Sequence, residues 1–143
     1  MFVVDTLIGN VDRHLSNWGL LISNNYIAFA PVYDCGSSLH PLMSDEEMKK
    51  YLDNKASFKE KVFNIYPVYK YNGIKLTYKQ FYEKNIDDLN QALKRIMPRI
   101  DMNKINNIID EIEPMSEIRK QFLKESILYR KENILDNAYK KLI

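Results

Sequence analysis

The feature that most limits the fold is a pair of short apolar runs joined by a two-residue turn. The first run reads WGLLIS and the second reads YIAFAPVY, and both are rich in Ile, Leu, Val and aromatic residues. Asn24-Asn25 stands between them, and asparagine tolerates the positive φ that a two-residue hairpin turn requires. The sequence therefore predicts a β-hairpin in which Asn17, just before the first strand, lies opposite Val32.

Polar loops flank this predicted hairpin on both sides. Asp12-Arg13-His14-Leu15-Ser16-Asn17 precedes it, and Asp34-Cys35-Gly36 follows it. Asp34 lies two positions beyond the partner of Asn17, so the two side chains share a sheet face at roughly 7–8 Å and reach one ion between them. Amide and carboxylate oxygens are ligands that suit Mg²⁺. Asp12, on the incoming loop, is placed to face the same space.

These three residues match the parts that phosphoryl transfer needs. One carboxylate orients and deprotonates the attacking hydroxyl, while an amide and a second carboxylate hold the metal ions that neutralise the phosphates. Protein kinases carry Asp-x-x-x-x-Asn, then a hairpin, then an Asp-x-Gly metal loop. The chain departs from ordinary eukaryotic kinases in one respect, because Arg13-His14 follows the first Asp instead of His-Arg preceding it.

Two longer segments, LIGNVDRHLSNWGLL and APVYDCGSSL, resemble the signature of HipA-like serine/threonine protein kinases, a toxin-related bacterial group. The likeness is close over residues 5–40, and the helical remainder is similar in general character. The resemblance implies that Asp12 is the catalytic base and that His14 orients the catalytic loop. It also implies that Asn17 and Asp34 bind Mg²⁺ and, through it, ATP. Phosphatidylinositol kinases resemble Asp-Arg-His-x-x-Asn as well, so a lipid kinase stays open as an alternative.

The rest of the chain has helical patterning. Ser44 and Glu47 form a capping-box signature, Thr77 opens a second helix start, and Asn72-Gly73 suits a second small hairpin. Amphipathic helices are predicted over 86–97 and 102–112, and a last helix over 116–141 whose basic residues form a solvated face. The predicted fold is mainly α with a small β-hairpin, a protein-kinase-like C-terminal lobe (α+β). It is one domain over 1–143, with catalytic and metal loops at 9–40 and a helical subdomain at 44–143.

The glycines bear on where the nucleotide is covered. The four glycines are Gly9, Gly19, Gly36 and Gly73. They are too scattered to form the phosphate-covering loop of a kinase N-terminal lobe. We therefore expect this chain to lack the N-lobe, which a partner chain or upstream sequence would supply. The chain alone is then expected to be inactive. The alternative from another class is a non-catalytic module of a toxin–antitoxin assembly, with an antitoxin partner.

A lobe separated from its partner exposes the apolar surface that normally meets that partner. Contiguous exposed apolar patches usually mark interaction sites. We therefore predict that the chain self-associates or needs a partner, through a surface near Met1, Phe2, Leu20 and Ile22.

Composition excludes several other classes of protein. The formal net charge of +2 is too small to indicate a nucleic acid or an anionic membrane as a partner. No run approaches the ~18 apolar residues of a membrane span. Cys35 is the single cysteine, which excludes an internal disulfide and favours a reducing, cytoplasmic location. The expected substrate is a protein.

Overall fold

A computed structural model describes residues 1–143 as a helical body that carries two short antiparallel hairpins. The helices are α1 (Phe2–Ile8), α2 (Asp45–Asp53), α3 (Lys55–Phe63), α4 (Tyr78–Tyr82), α5 (Asp87–Ile96), α6 (Met102–Asp110), α7 (Glu117–Arg130) and α8 (Asn137–Tyr139). The strands are β1 (Leu20–Ser23), β2 (Tyr26–Phe29), β3 (Lys70–Tyr71) and β4 (Ile74–Lys75). Short 3-10 turns lie at Leu15–Asn17 and Met97–Arg99, and a π-helical turn at Lys131–Asp136 joins α7 to α8. The predicted mainly helical fold class is confirmed.

The first hairpin has the register that its turn predicts. Leu20 lies opposite Phe29, and Ser23 lies opposite Tyr26. The amide of Ala30 donates to the carbonyl of Gly19 at 2.9 Å, which continues the pairing toward the catalytic loop. All four residues of β1 are exposed, so neither face of this strand is covered. The second hairpin closes at Asn72-Gly73, where both residues have positive φ.

Helix α7 is the centre of the hydrophobic core. It packs against α1, α2, α3 and α6, and its inward face buries Phe122, Leu123 and Ile127. Helices of this length are marginal alone, so their stability comes from this shared burial. The other fully or nearly fully buried members of the cluster are Val3, Leu7, Met48, Phe58, Val62, Leu93, Met97, Ile109 and Leu135. No helix is long and apolar enough to cross a bilayer.

Local capping chemistry starts the helices where the sequence predicts. The Ser44–Glu47 and Thr77–Gln80 pairs both form reciprocal capping boxes, which satisfy backbone N–H groups that the first turn leaves free. Gly9 ends α1 in the left-handed conformation at φ +66°. A Cβ on Gly9 would lie 3.0 Å from Ile65 Cδ1, so the position requires glycine for space as well as for φ.

Three details of the helical half were not predicted correctly. The terminal helix reaches Tyr139, close to its expected end, but it contains the unforeseen π-helical turn. Its basic residues do not all lie on a solvated face, because Arg130 is fully buried. Leu128, which the apolar pattern alone does not distinguish from Ile127, is 42% exposed, since Ile127 takes the inward position.

Candidate active site

The predicted catalytic loop begins with a hydrogen-bonded turn that follows α1. Asn10 donates from Nδ2 to Asp5 Oδ1 at 2.9 Å, and its own Oδ1 accepts from the amide of Asp12 at 3.0 Å. The hydroxyl of Tyr78 donates to the carbonyl of Asn10. Burial raises the pKa of Tyr78, so this phenol stays a donor. The turn therefore fixes the backbone directly before the predicted catalytic base.

Arg13 is the residue that joins the two polar loops. It is 2% exposed and forms a buried ion pair with Asp5, with Nη2 to Oδ1 at 3.0 Å and Nε to Oδ2 at 3.2 Å. The hydrogen bonds that Arg13 donates to the Asp5 carboxylate raise the pKa of Arg13, so its charge is permanent. The fork geometry of a guanidinium leaves Nη1 free to bond elsewhere.

Arg13 Nη1 binds three backbone carbonyls from both sides of the hairpin. It donates to Asn17 O at 2.7 Å, to Tyr33 O at 2.5 Å and to Asp34 O at 3.2 Å. The Nη2 atom also donates to Cys35 Sγ at 3.2 Å. One buried guanidinium thus brings together the backbones of the two residues predicted to hold a metal ion.

Asn17 is buried, and the nitrogen of its side-chain amide is already hydrogen-bonded. Its Nδ2 donates to Asp12 O at 2.7 Å, so the amide nitrogen is turned back onto the catalytic loop. No hydrogen bond within the protein uses the Oδ1 atom. This oxygen is the group that a hard cation takes as a ligand.

Asp34 lies at the start of the metal loop in an unusual backbone conformation. Its φ is +50°, in the left-handed region that Asp tolerates better than most residues. Its side chain forms no hydrogen bond or ion pair, and its Oδ1 is 3.7 Å from where a Cβ on Gly36 would stand. No group of three or more His, Cys, Asp or Glu side chains forms a metal cluster. The predicted donor set stays one amide and one carboxylate, a combination that would suit a magnesium ion keeping water and phosphate ligands.

Asp12 and His14 lie beside each other at the surface. His14 Nε2 is 3.7 Å from Asp12 Oδ2, and both side chains are about half exposed. His14 Nδ1 accepts from the amide of Ser16 at 3.2 Å, which orients the ring toward Asp12. The orienting role of His14 stays a prediction. The convergence of Asp12, Asn17 and Asp34 side chains on one ion remains a prediction.

The residues that hold this arrangement in place were not predicted from the sequence. Arg13 was noted only as a variant of the motif, and Asp5 was given no role. One signal was available, because Asp5, Asp12, Arg13 and Asp34 are nearly the only charges in the first 43 residues. A single acid within an apolar helix and a single nearby base indicate a buried pair.

Comparisons with known proteins agree with a kinase site. No protein-family model matches the chain. The serine/threonine-protein kinase CtkA of Helicobacter pylori strain J99 is 43% identical over 148 aligned residues, covering 100% of this chain and 46% of the kinase. The crystal structure of the Helicobacter pylori proinflammatory kinase CtkA superposes with a TM-score of 0.91, covering 99% of this chain and 51% of that one. The chain therefore spans about half the length of the relative that it matches, and neither comparison names a HipA-like protein.

Proposed function

We propose that this homologue of a serine/threonine protein kinase is the half that carries the catalytic and metal-binding loops of an ATP- and Mg²⁺-dependent protein kinase. The observation that supports it most strongly is the Arg13 guanidinium, which bonds the carbonyls of both Asn17 and Asp34. The homology to CtkA supports a kinase-type activity. A protein serine or threonine is the expected acceptor, since that is the class named for CtkA.

The proposal gives each of these residues a role. Asp12 accepts the proton of the attacking hydroxyl, and His14 steadies its carboxylate from 3.7 Å. Asn17 Oδ1 and the Asp34 carboxylate hold the metal ion, while Arg13 fixes their backbones. Bound Mg²⁺ and ATP supply the phosphoryl group and the charge that neutralises it.

The apolar surface around the first hairpin supports a partner for this half. Met1 and Leu20 are 43% and 47% exposed and Ile22 is 73% exposed, whereas Phe2 is half-buried against the rings of Tyr69, Tyr78, Phe81 and Tyr82. An isolated two-stranded hairpin is marginally stable in water. We propose that this surface contacts the remaining half of the kinase, on the same or a separate polypeptide. An antitoxin or a second copy of the chain would compete for the same surface.

A cytoplasmic location remains a prediction from Cys35.

The experiment that tests the function joins or co-expresses this chain with the half of CtkA that it does not cover. We expect Mg²⁺-dependent transfer of the γ-phosphate of ATP to serine or threonine of a protein acceptor. Asp53→Asn, which changes an exposed carboxylate on α2, is the matched control for Asp12→Asn. Nucleotide binding without transfer to any protein would favour the non-catalytic module, and transfer only to phosphatidylinositol vesicles would favour the lipid kinase.

A further inference from the structure

A cavity of about 510 Å³ lies between the segment after the metal loop and helix α3. Its volume is in the range of sites that bind small organic molecules. The wall includes Gly9, Ser37 and His40 from one side and Glu60 and Lys61 from the other. None of the residues assigned to catalysis or metal binding lines this cavity.

A buried positive charge without an acidic partner lies behind this wall. Arg130 is fully buried, its Nε donates to Leu7 O at 2.9 Å, and its Nη1 and Nη2 have no hydrogen-bond partner. A Cβ on Gly9 would lie 3.1 Å from the Cζ and Nη1 atoms of Arg130. The guanidinium therefore packs closely against the glycine that lines the cavity, while Arg130 itself is not part of the wall. Buried charges are normally paired, so this one leaves an uncompensated positive field.

Lys61 is the one group of the wall that adds positive charge to this field. Lys61 has no ion-pair partner within the protein, and its only aromatic neighbour is the Tyr51 ring at 5.8 Å. His40 Nε2 is buried without a partner. Burial, together with the charges of Arg130 and Lys61, lowers the pKa of His40 to about 4, so the imidazole is neutral near pH 7. Glu60 is the one carboxylate of the wall.

We propose that this cavity binds a phosphate monoester, with the phosphate group beside Lys61 and Gly9. A monoester carries close to two negative charges near neutral pH and offers three strong acceptor oxygens, which complement two unpaired cations. The cavity is larger than a single phosphate group, so an organic part extends along Ile65 and Tyr66. This binding does not depend on the proposed phosphoryl transfer.

The site also touches the segments that carry the active-site loops. The amide of Val11 donates to Ser37 O at 3.4 Å, and both residues line the cavity. Val11 precedes Asp12, and Ser37 follows the Asp34-Cys35-Gly36 loop. An occupied cavity therefore contacts both loops at once and restrains their relative position.

The test is a titration of the 143-residue chain with two probes, inorganic phosphate and N-acetyl-O-phosphoserine amide, followed by amide chemical shifts and calorimetry. We expect saturable binding with shifts at Gly9, Ser37 and Lys61, and tighter binding of the ester. Lys61→Gln should weaken binding roughly tenfold or more, the size of a lost charged hydrogen bond. Lys59→Gln, an exposed change on the same helix, is the matched control and should leave binding unchanged.

Two further variants sharpen the outcome. Glu60→Gln removes the carboxylate of the wall and should tighten binding of both probes. Arg130→Met should abolish binding, but Arg130 lies in the core, so the surface variants decide the result if it unfolds. The proposal is overturned if neither probe binds saturably at millimolar concentration, or if Lys61→Gln binds as wild type. Inorganic phosphate that binds as tightly as the ester would overturn the assignment of a monoester.

Discussion

Replacing Arg13 by methionine tests whether one buried ion pair holds the two active-site loops together. Arg13→Met keeps an unbranched aliphatic stem but removes the guanidinium, which leaves the Asp5 carboxylate buried without its cation. Breaking a buried pair from one side costs about 3–5 kcal/mol. The whole fold of a domain this size has roughly 5–15 kcal/mol of stability, so the variant loses a large share of it.

A double variant separates stability from loop positioning. In Asp5→Asn/Arg13→Met both charges are gone, and the new amide still accepts from Asn10 Nδ2. Removing both partners of a buried pair is often close to neutral, so we expect the free energy of unfolding to recover to within about 2 kcal/mol of wild type. The carbonyls of Asn17 and Asp34 lose their shared donor in both variants. Nucleotide and Mg²⁺ binding should therefore stay impaired in the double variant although it folds.

The assay is urea unfolding followed by far-ultraviolet circular dichroism, with linear extrapolation to water. Arg99→Met is the control, because Arg99 is exposed and has no ion pair, and it should change stability by less than about 0.5 kcal/mol. Two results refute the reasoning: Arg13→Met within about 1 kcal/mol of wild type, or a double variant that binds Mg²⁺-nucleotide as wild type does.

Other predictions concern single positions. Gly9→Ala should cost roughly 2–4 kcal/mol of stability, because the added Cβ clashes with Ile65 and Arg130 at a position that already has a positive φ. Gly73→Ala, at φ +79° in open space, should cost about 1 kcal/mol. Equal losses in urea unfolding would contradict this. In the chain joined to the remaining kinase half, Asp12→Asn should lower phosphoryl transfer ~10²–10⁴-fold and spare nucleotide binding, whereas Asp34→Asn should weaken both. The reverse pattern would exchange base and metal ligand. His40 is neutral in the fold but takes up a proton when unfolded, so stability should fall as pH drops from about 6.5 to about 4, and His40→Gln should reduce that slope.

Features that depend on neighbouring residues could be predicted from the sequence. The Asn24-Asn25 turn fixed the pairing of Leu20 with Phe29, because a two-residue loop allows one register. The capping boxes at Ser44 and Thr77 likewise depend on a side chain and a backbone amide three residues apart. Such interactions are complete within a few residues, so they need no knowledge of the fold.

The support of the candidate site could not be predicted in the same way. Arg130 reaches the carbonyl of Leu7 across 123 positions of sequence, and Tyr78 reaches Asn10 across 68. Nothing in the local pattern of the terminal helix distinguishes Arg130 from its solvated neighbours. Only the packing of α7 against α1 determines that this cation is buried.

The two fully buried arginines differ in whether their charge has a partner inside the protein. Arg13 pairs with one carboxylate and donates to three carbonyls, so its positive charge is compensated inside the protein. There it joins the predicted catalytic and metal loops. Arg130 bonds one carbonyl and keeps two nitrogens unpaired, and burial lowers its pKa to about 10. The guanidinium nevertheless stays charged near pH 7. Burying such a charge without a partner has a desolvation cost, and an anion bound in the nearby cavity would offset part of it. Binding of a phosphate monoester should therefore also raise the stability of α7 against unfolding.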